Sequence, residues 1–271
     1  MKKDTPKNRR DCIFKHIVHS YVETAEPVGS QALSKRFNLG LSPASIRNVM
    51  VELEELGLIA QPHTSAGRVP TERGYRYYVD SLMRPEPLAE REKGWIGRQM
   101  REARSMDSLV ENVSKAVSKL TGNAAIIYIP HMRRVSFLNH LLEELVEAEK
   151  LNDFFEEDEE VFIEGAFRML AQPEFRDAAR MGRLLQAFDE KSPIVRILIR
   201  DLEEDGLHVH IGSENAPAKL EGVSLVVRDC TLGGQPIGGV AVLGPIRMPY
   251  ARIISVVDYV ADSVGRAMER F

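Results

Sequence analysis

Apolar residues recur at steps of three and four within residues 43–56, and two short apolar segments around a glycine-containing turn follow them. Steps of three and four place side chains on one face of a helix, so the first pattern predicts an amphipathic helix. That face is formed by Ile46, Val49, Met50 and Leu53. Ser42 and Pro43 suit its N-cap and first position, and Gly57 suits its end. Residues 41–83 therefore predict a helix, a strand, a turn, a second strand and another helix.

The preceding segment also has a helical period. Residues 7–24 carry one apolar stripe, formed by Ile13, Phe14, Ile17, Val18 and Tyr21. After a turn at residues 26–29, Ser30 is predicted to cap a short second helix. The inward side chains of that helix are predicted to be Ala32, Leu33 and Phe37. Three helices followed by a hairpin at residues 58–70 is the order of a winged helix, a DNA-binding variant of the helix-turn-helix.

The third helix offers small, polar or basic groups opposite its apolar stripe, near the N-terminal end where a recognition helix meets base edges. Base-reading contacts are predicted for Ser45, Arg47 and Asn48. Asn48 is the first candidate, because its amide can pair bidentately with adenine N6 and N7. The alternative for Arg47 is a surface ion pair with Glu26 or Glu54.

The turn of the hairpin, residues 62–67, offers hydroxyl and backbone N–H groups and contains no acidic residue. Phosphate oxygens need donors without a nearby negative charge, so this surface suits DNA. Phosphate contacts are predicted for Arg9, Arg10, Ser42, Thr64, Ser65 and Arg68. Residues 1–84 carry 13 Lys and Arg against 9 Asp and Glu, whereas the other 187 residues carry 23 against 31. The alternative is a winged helix that serves only as a protein–protein module.

Two prolines within residues 84–87 mark a domain boundary. One long helix is predicted after it, at residues 88–120, with a heptad-like apolar seam. The seam consists of Ile96, Ala103, Met106, Val110, Val113, Val117 and Leu120. It could pack on the sheet of its own domain, join two subunits, or do both. The predicted domains are a winged helix at 1–84, a linker and dimerisation helix at 85–122, and a regulatory and dimerisation domain at 123–271.

The C-terminal half alternates between strand and helix patterns. Strands are predicted at residues 124–129, 207–211, 223–227 and 237–243. Helices are predicted at residues 176–190, 194–202 and 250–271, and residues 139–190 read as a helical, insert-like segment. Gly233-Gly234 fits a hairpin turn, and Gly238-Gly239 fits a close backbone approach. Long helices on one face of an antiparallel sheet make an α+β domain of the sensor type.

The sequence contains no persuasive catalytic constellation, so an enzyme is not expected, and neither is a cofactor or a bound metal. His208 and His210 share a strand face, either as a metal pair or as an ordinary surface pair. His16 and His19 are three residues apart, and are better explained as neighbours of solvent or phosphate. No stretch approaches the roughly 18 apolar residues of a membrane span, and no apolar run follows the basic N-terminus.

Several motifs resemble those of one family. In the N-terminal part they occupy residues 26–30, 39–48, 53–57 and 61–68. In the C-terminal part they occupy residues 172–176, 211–215, 244–248, 250–252 and 257–260. In these segments the chain resembles the HrcA family of heat-inducible transcription repressors. The resemblance implies a GAF-like C-terminal domain and a homodimer that binds an inverted-repeat operator (CIRCE) upstream of chaperone genes. It also implies a bacterial cytoplasmic protein, associated with the nucleoid when bound, whose active form is promoted by the chaperonin GroEL.

The chain departs from the family in being short, between the strand-like residues 124–129 and the helix-like residues 167–170. That space holds an amphipathic helix pattern at residues 139–155 and an acidic run at residues 156–160. Heat could act by unfolding the repressor or by drawing GroEL away. Two other functions are a regulator whose C-terminal domain binds a small molecule and a winged-helix adaptor without DNA affinity.

Overall fold

The computed structural model describes residues 6–64, 66–129, 160–190, 192–218, 220 and 222–270. Ser65, the predicted helix at residues 139–155 and the acidic run up to residue 159 lie outside these ranges. The chain forms an N-terminal winged helix and a C-terminal sensor domain, joined by two helices. The α+β class predicted from the sequence is confirmed.

The winged helix has the predicted order. Its helices are α1 (Pro6–Thr24), α2 (Ser30–Arg36), α3 (Pro43–Glu55) and α4 (Glu72–Tyr77), and its paired strands are β1 (Ile59–Ala60) and β2 (Val69–Pro70). A π-helical turn, Tyr78–Leu82, continues α4. The core of the domain lies between α1, α3 and α4, where Phe14, Ile46 and Leu53 are fully buried.

Two details of α2 differ from the prediction. Ser30 does not cap the helix, because Gly29 holds the extended N-cap position and Ser30 is the buried first residue. Ala32 is exposed rather than inward. In a helix of seven residues the contact face is narrow, and Leu33 alone of the three predicted inward side chains is fully buried.

The predicted long helix is two helices, α5 (Glu90–Glu102) and α6 (Met106–Thr121). Ala103 has an extended backbone, and Ser105 caps α6 by accepting a hydrogen bond from the Ser108 N–H. The side-chain amide of Asn112 donates to the Gln99 carbonyl at 3.0 Å, so the helices fold back on each other. The prediction of one helix was wrong because a local cap satisfies the backbone there as well as a continued helix would.

Folding back buries the apolar seam within the chain. Val110, Val113 and Val117 of α6 are almost completely buried. They belong to the apolar cluster that includes one face of the sensor sheet and the closing helix, α10 (Tyr250–Met268).

Five strands among the described residues form one antiparallel sheet in the order β4-β3-β7-β6-β5. The strands are β3 (Ala124–Ile129), β4 (Glu160–Glu164), β5 (Leu207–Ile211), β6 (Val223–Leu232) and β7 (Gln235–Pro245). Strand β4 was not predicted, although Val161, Phe162 and Ile163 form an apolar run beside the acidic residues. The β6–β7 hairpin turns at Gly233-Gly234, as predicted.

Helices cover both faces of the sheet, not the single face predicted. The first face packs on α6 and α10, and α5 packs against these two helices. The second packs on α7 (Ala166–Leu170), α8 (Ala178–Glu190) and α9 (Ser192–Leu202). Side chains alternate between these layers along each strand. Val240 and Val242 therefore belong to the first core, whereas Ala241 and Leu243 belong to the second.

The predicted close approach at Gly238 is confirmed. Its φ angle is 151°, and a Cβ there would lie 2.4 Å from the carbonyl oxygen of Tyr128 on β3. A side chain at this position would push β7 away from β3, so glycine allows these two strands to pair.

Gly74 provides a test of how α4 packs on the segment that leads into β1. A Cβ at Gly74 would lie 2.1 Å from the carbonyl oxygen of Leu58, which is a backbone atom. We expect Gly74→Ala to lower the free energy of unfolding by about 1–3 kcal/mol, because overpacking outweighs the better helix propensity of alanine.

The matched control is Gly94→Ala in α5, where a Cβ would meet nothing within 4 Å. That substitution should be neutral or stabilising by up to about 1 kcal/mol. Urea unfolding followed by circular dichroism measures both variants. Equal stability of the two variants would contradict the close packing of α4 on the Leu58 backbone.

Candidate DNA-binding surface

The outward face of α3 presents the three predicted base-reading residues together. Ser45, Arg47 and Asn48 are all exposed, whereas Ile46 and Met50 are buried in the core beneath them. The helix thus holds its polar N-terminal face toward solvent by burying the opposite stripe, as the apolar period predicts.

Two serine hydroxyl groups are organised at the beginning of α3. Ser42 Oγ accepts a hydrogen bond from the Ser45 N–H at 3.1 Å, which confirms the predicted N-cap. The hydroxyl groups of Ser42 and Ser45 also lie 2.9 Å apart. Both are exposed and can still bond to a ligand oxygen, but their positions are set by the cap.

Gln61 shapes the turn of the hairpin, which we call the wing (residues 61–68). Its side-chain amide donates to the carbonyl oxygens of Thr64 and Ala66, at 2.8 and 3.1 Å. The Ala66 N–H donates to the His63 carbonyl at 2.9 Å. Gln61 is absent from the predicted contacts, because a residue that shapes a loop from within carries no charge signal in the sequence.

Arg68 joins the wing to the rest of the domain. Its backbone exchanges two hydrogen bonds with Val28, at 2.8 and 2.9 Å. Its guanidinium group lies 3.0 Å from the Glu54 carboxylate of α3. Arg68 was predicted to bind phosphate, and in the structure its charge is already paired within the domain.

The alternative role of Arg47 was a surface ion pair with Glu26 or Glu54. Glu54 binds Arg68, whereas Arg47 is exposed and forms no ion pair within the part of the chain that the structure describes. Arg47 therefore keeps its charge on the outward face beside Asn48.

The two arginines of α1 lie elsewhere on the domain. Arg10 lines a cavity of about 450 Å³ together with Lys7, Arg73 and Leu56. Leu56 is the C-cap of α3, so this basic cavity lies at the end of α3 remote from Ser45 and Asn48. Arg9 is exposed in the first turns of α1.

The histidines take part in local packing. Burial lowers the pKa of both His16 and His19, which favours their neutral forms. The His16 ring packs on Phe37 at 4.1 Å between centroids, and His19 Nε2 lies 3.0 Å from the Tyr78 hydroxyl.

The histidines of β5 are similarly engaged. His210 Nε2 lies 2.6 Å from the Asp201 carboxylate, and His208 Nε2 lies 2.9 Å from the Glu204 carbonyl. Within the described ranges, no three His, Cys, Asp or Glu side chains are grouped to hold a metal ion. No helix among those residues is long and apolar enough to cross a membrane.

A cavity of about 620 Å³ lies between the winged helix and the sensor domain. It is the natural place to look for the small-molecule alternative. Two carboxylates line it, and both are engaged: Glu72 accepts hydrogen bonds from Ser213, and Glu174 binds Arg247. Glu72 therefore serves the contact between the domains, whereas Glu174 holds an arginine within the sensor domain.

Comparison with known proteins decides the family. The profile described as "HrcA protein C terminal domain" matches residues 132–254. The heat-inducible transcription repressor HrcA of Geobacter sulfurreducens is 32% identical over 96% of this chain and 98% of its own length. The repressor of the same description from Syntrophobacter fumaroxidans is 33% identical over 95% of this chain and 96% of its own length. The chain belongs to the HrcA family. It is accordingly a repressor of heat-inducible transcription and not an enzyme.

A solved structure shares the fold of this HrcA family member. It is the crystal structure of a hypothetical protein at 2.2 Å resolution, with a TM-score of 0.72 and 22% identity. The match covers 97% of this chain and 98% of that one. The two proteins therefore have the same architecture, including the GAF-like sheet.

The predicted shortness of the chain is visible in the same comparisons. The alignment with the Geobacter relative spans 337 positions, whereas this chain has 271 residues. The relative therefore carries residues that this chain lacks.

The Glu54–Arg68 pair allows the role of Arg68 in DNA binding to be tested. Arg68→Ala removes both the charge and the pair, and Glu54→Gln removes only the acid. If Arg68 contacts phosphate, Arg68→Ala should weaken binding to every duplex and lower the salt slope by about one. Glu54→Gln should preserve or strengthen binding, because it frees the guanidinium.

Fluorescence-anisotropy titrations over a salt series measure these slopes. The pair is partly exposed and contributes only about 0.2–1 kcal/mol to stability, so both variants should fold. Equal weakening by the two variants would assign the pair a structural role and remove Arg68 from the phosphate contacts.

Proposed function

We propose that this protein represses chaperone genes by binding an inverted-repeat operator of the CIRCE type as a homodimer. The observation that carries the proposal is the exposed N-terminal face of α3, where Ser45, Arg47 and Asn48 lie together. Two such faces related by a two-fold axis would read two half-sites of opposite orientation, so the operator must be an inverted repeat.

We assign the base contacts to Asn48, Ser45 and Arg47. The bidentate amide of Asn48 suits adenine in the major groove. We further propose phosphate contacts from the wing and the first turn of α3. These contacts would hold the duplex on either side of the base-reading face. They involve Ser42, Thr64, Ser65 and Arg68. Arg9 and Arg10 would contact phosphates farther along the duplex.

The family resemblance supports GroEL as the partner that promotes the active form, and a bacterial cytoplasmic location. Homodimerisation is proposed to use the C-terminal domain. Phe167, Leu185 and Ile199 support that choice, because they are exposed apolar side chains on the three helices of the second sheet face.

The decisive experiment is fluorescence-anisotropy binding of the full chain to three duplexes: an inverted repeat, a single half-site and a scrambled sequence. Each titration is run over a salt series, with and without GroEL. We expect selective, salt-dependent binding to the inverted repeat that GroEL improves. Binding no stronger than to the scrambled duplex under every condition would overturn the proposed function.

Asn48→Ala tests the base-reading assignment separately. Loss of the bidentate pair should cost about 1–3 kcal/mol per half-site and relax sequence preference. Val51→Ala is the matched control, since Val51 is also exposed on α3 and cannot donate a hydrogen bond. The readout is the ratio of operator affinity to scrambled-duplex affinity. An unchanged ratio in Asn48→Ala would show that Asn48 does not read a base.

A further inference from the structure

Helix α4 attaches the winged helix to the sensor domain through two charged residues one turn apart. The Glu72 carboxylate accepts hydrogen bonds from the Ser213 N–H at 3.0 Å and from its hydroxyl at 2.7 Å. Arg76 binds both oxygens of Glu214, with Nε 3.0 Å from Oε1, and also donates to the Val209 carbonyl. Residues four apart on a helix share a face, so α4 presents both groups to the same loop.

The loop of the sensor domain fits this helix closely. Gly212 has a φ angle of 54°, and a Cβ there would lie 2.2 Å from a carboxylate oxygen of Glu72. Glu214 is held in place by the Ile211 N–H at 2.8 Å. Burial alone would raise the pKa of Glu214, but the hydrogen bonds from Arg76 and the Ile211 N–H lower it, so the carboxylate stays charged at neutral pH.

A second attachment borders the same cavity as Glu72 and Ser213. Arg247 binds the Glu174 carboxylate through two nitrogens and donates to the carbonyl of Val22, near the end of α1. Between the two attachments, the rings of Tyr75 and Tyr250 pack at 5.8 Å. Contacts at separated points resist rotation, so the winged helix is held in one orientation.

This orientation leaves the DNA-binding face open. Ser45, Arg47 and Asn48 remain exposed while α4 is docked, so the contact does not block the base-reading surface. In a two-fold dimer, the orientation of each recognition helix sets the separation of the half-sites that both can reach. A fixed orientation therefore favours one spacing.

We propose that the α4–sensor contact, formed by Glu72 with Ser213 and by Arg76 with Glu214, determines the half-site spacing that the repressor selects. This inference rests on the proposed binding of a dimer to an inverted repeat. Glu72 and Arg76 act as positioning residues, because they set the direction of α3 without touching DNA.

The test compares the wild type with the double variant Glu72→Ala/Arg76→Ala. The matched control, Glu90→Ala/Lys93→Ala, removes an ion pair of 2.8 Å that lies within α5. Affinity is measured for inverted repeats whose spacer changes by one base pair at a time, and for a single half-site. We expect the wild type and the control to prefer one spacing by about tenfold or more. The test variant should show a smaller preference, because it loses the α4 contact but keeps the Arg247 attachment and the Tyr75–Tyr250 packing. The affinity of the test variant for the single half-site should stay within about twofold of the wild-type value.

A second readout follows the orientation without DNA. Cys12 is exposed, whereas Cys230 is buried and burial raises its pKa to about 12, so a maleimide dye labels Cys12. Time-resolved anisotropy should show the label turning with the whole wild-type protein, and an added faster motion in the test variant.

The outcomes separate this inference from the proposed function. A test variant that keeps the wild-type spacing preference would overturn the inference. So would a variant that binds every spacing more tightly by the same factor, because the contact would then inhibit binding rather than select spacing. If the wild type binds the inverted repeat no better than the half-site, the proposed binding of a dimer to the operator is refuted. The proposed role of the α4–sensor contact in spacing is then refuted as well.

Discussion

The packing of α4 against the sensor domain is the contact on which the arrangement of this protein depends. Tyr75 lies in the core of the winged helix and also meets Tyr250 at the beginning of α10. One helix thereby completes the core of the DNA-binding domain and also packs against the sensor domain. Glu72 and Arg76, on the same helix, add directional hydrogen bonds to the apolar contact. Apolar burial supplies most of the favourable free energy of such a contact, and the charged groups fix its geometry.

The elements that the sequence predicts well are those that local periodicity and capping determine. The stripe of α3 and its Ser42 cap, the strands β5 and β7, and the glycine turn at 233–234 are found where the patterns indicate. The break before Ser105 was missed because a capping serine and a helical serine look alike in a sequence. Strand β4 was missed because its apolar run is short and borders a charged segment.

The candidate base-reading residues could be proposed from the sequence, since they follow from the outward face of one helix. The ion-pair partners of charged residues could not be predicted from the sequence, because they depend on tertiary contacts. Arg68 meets Glu54, and Arg76 meets Glu214 at a separation of 138 residues. Neither pairing follows from local spacing. A basic residue in a DNA-binding sequence is therefore a candidate for contact with DNA only after its partners within the fold are known.

The apolar cluster that contains Phe14 and Leu53 of the winged helix also contains Val117, Val242 and Val257 of the sensor half. A core shared in this way makes the two halves a single cooperative unit, since neither can open without exposing apolar surface of the other. For a repressor of heat-inducible transcription, the consequence concerns temperature. We therefore expect the winged helix and the sensor domain to unfold over the same interval of temperature.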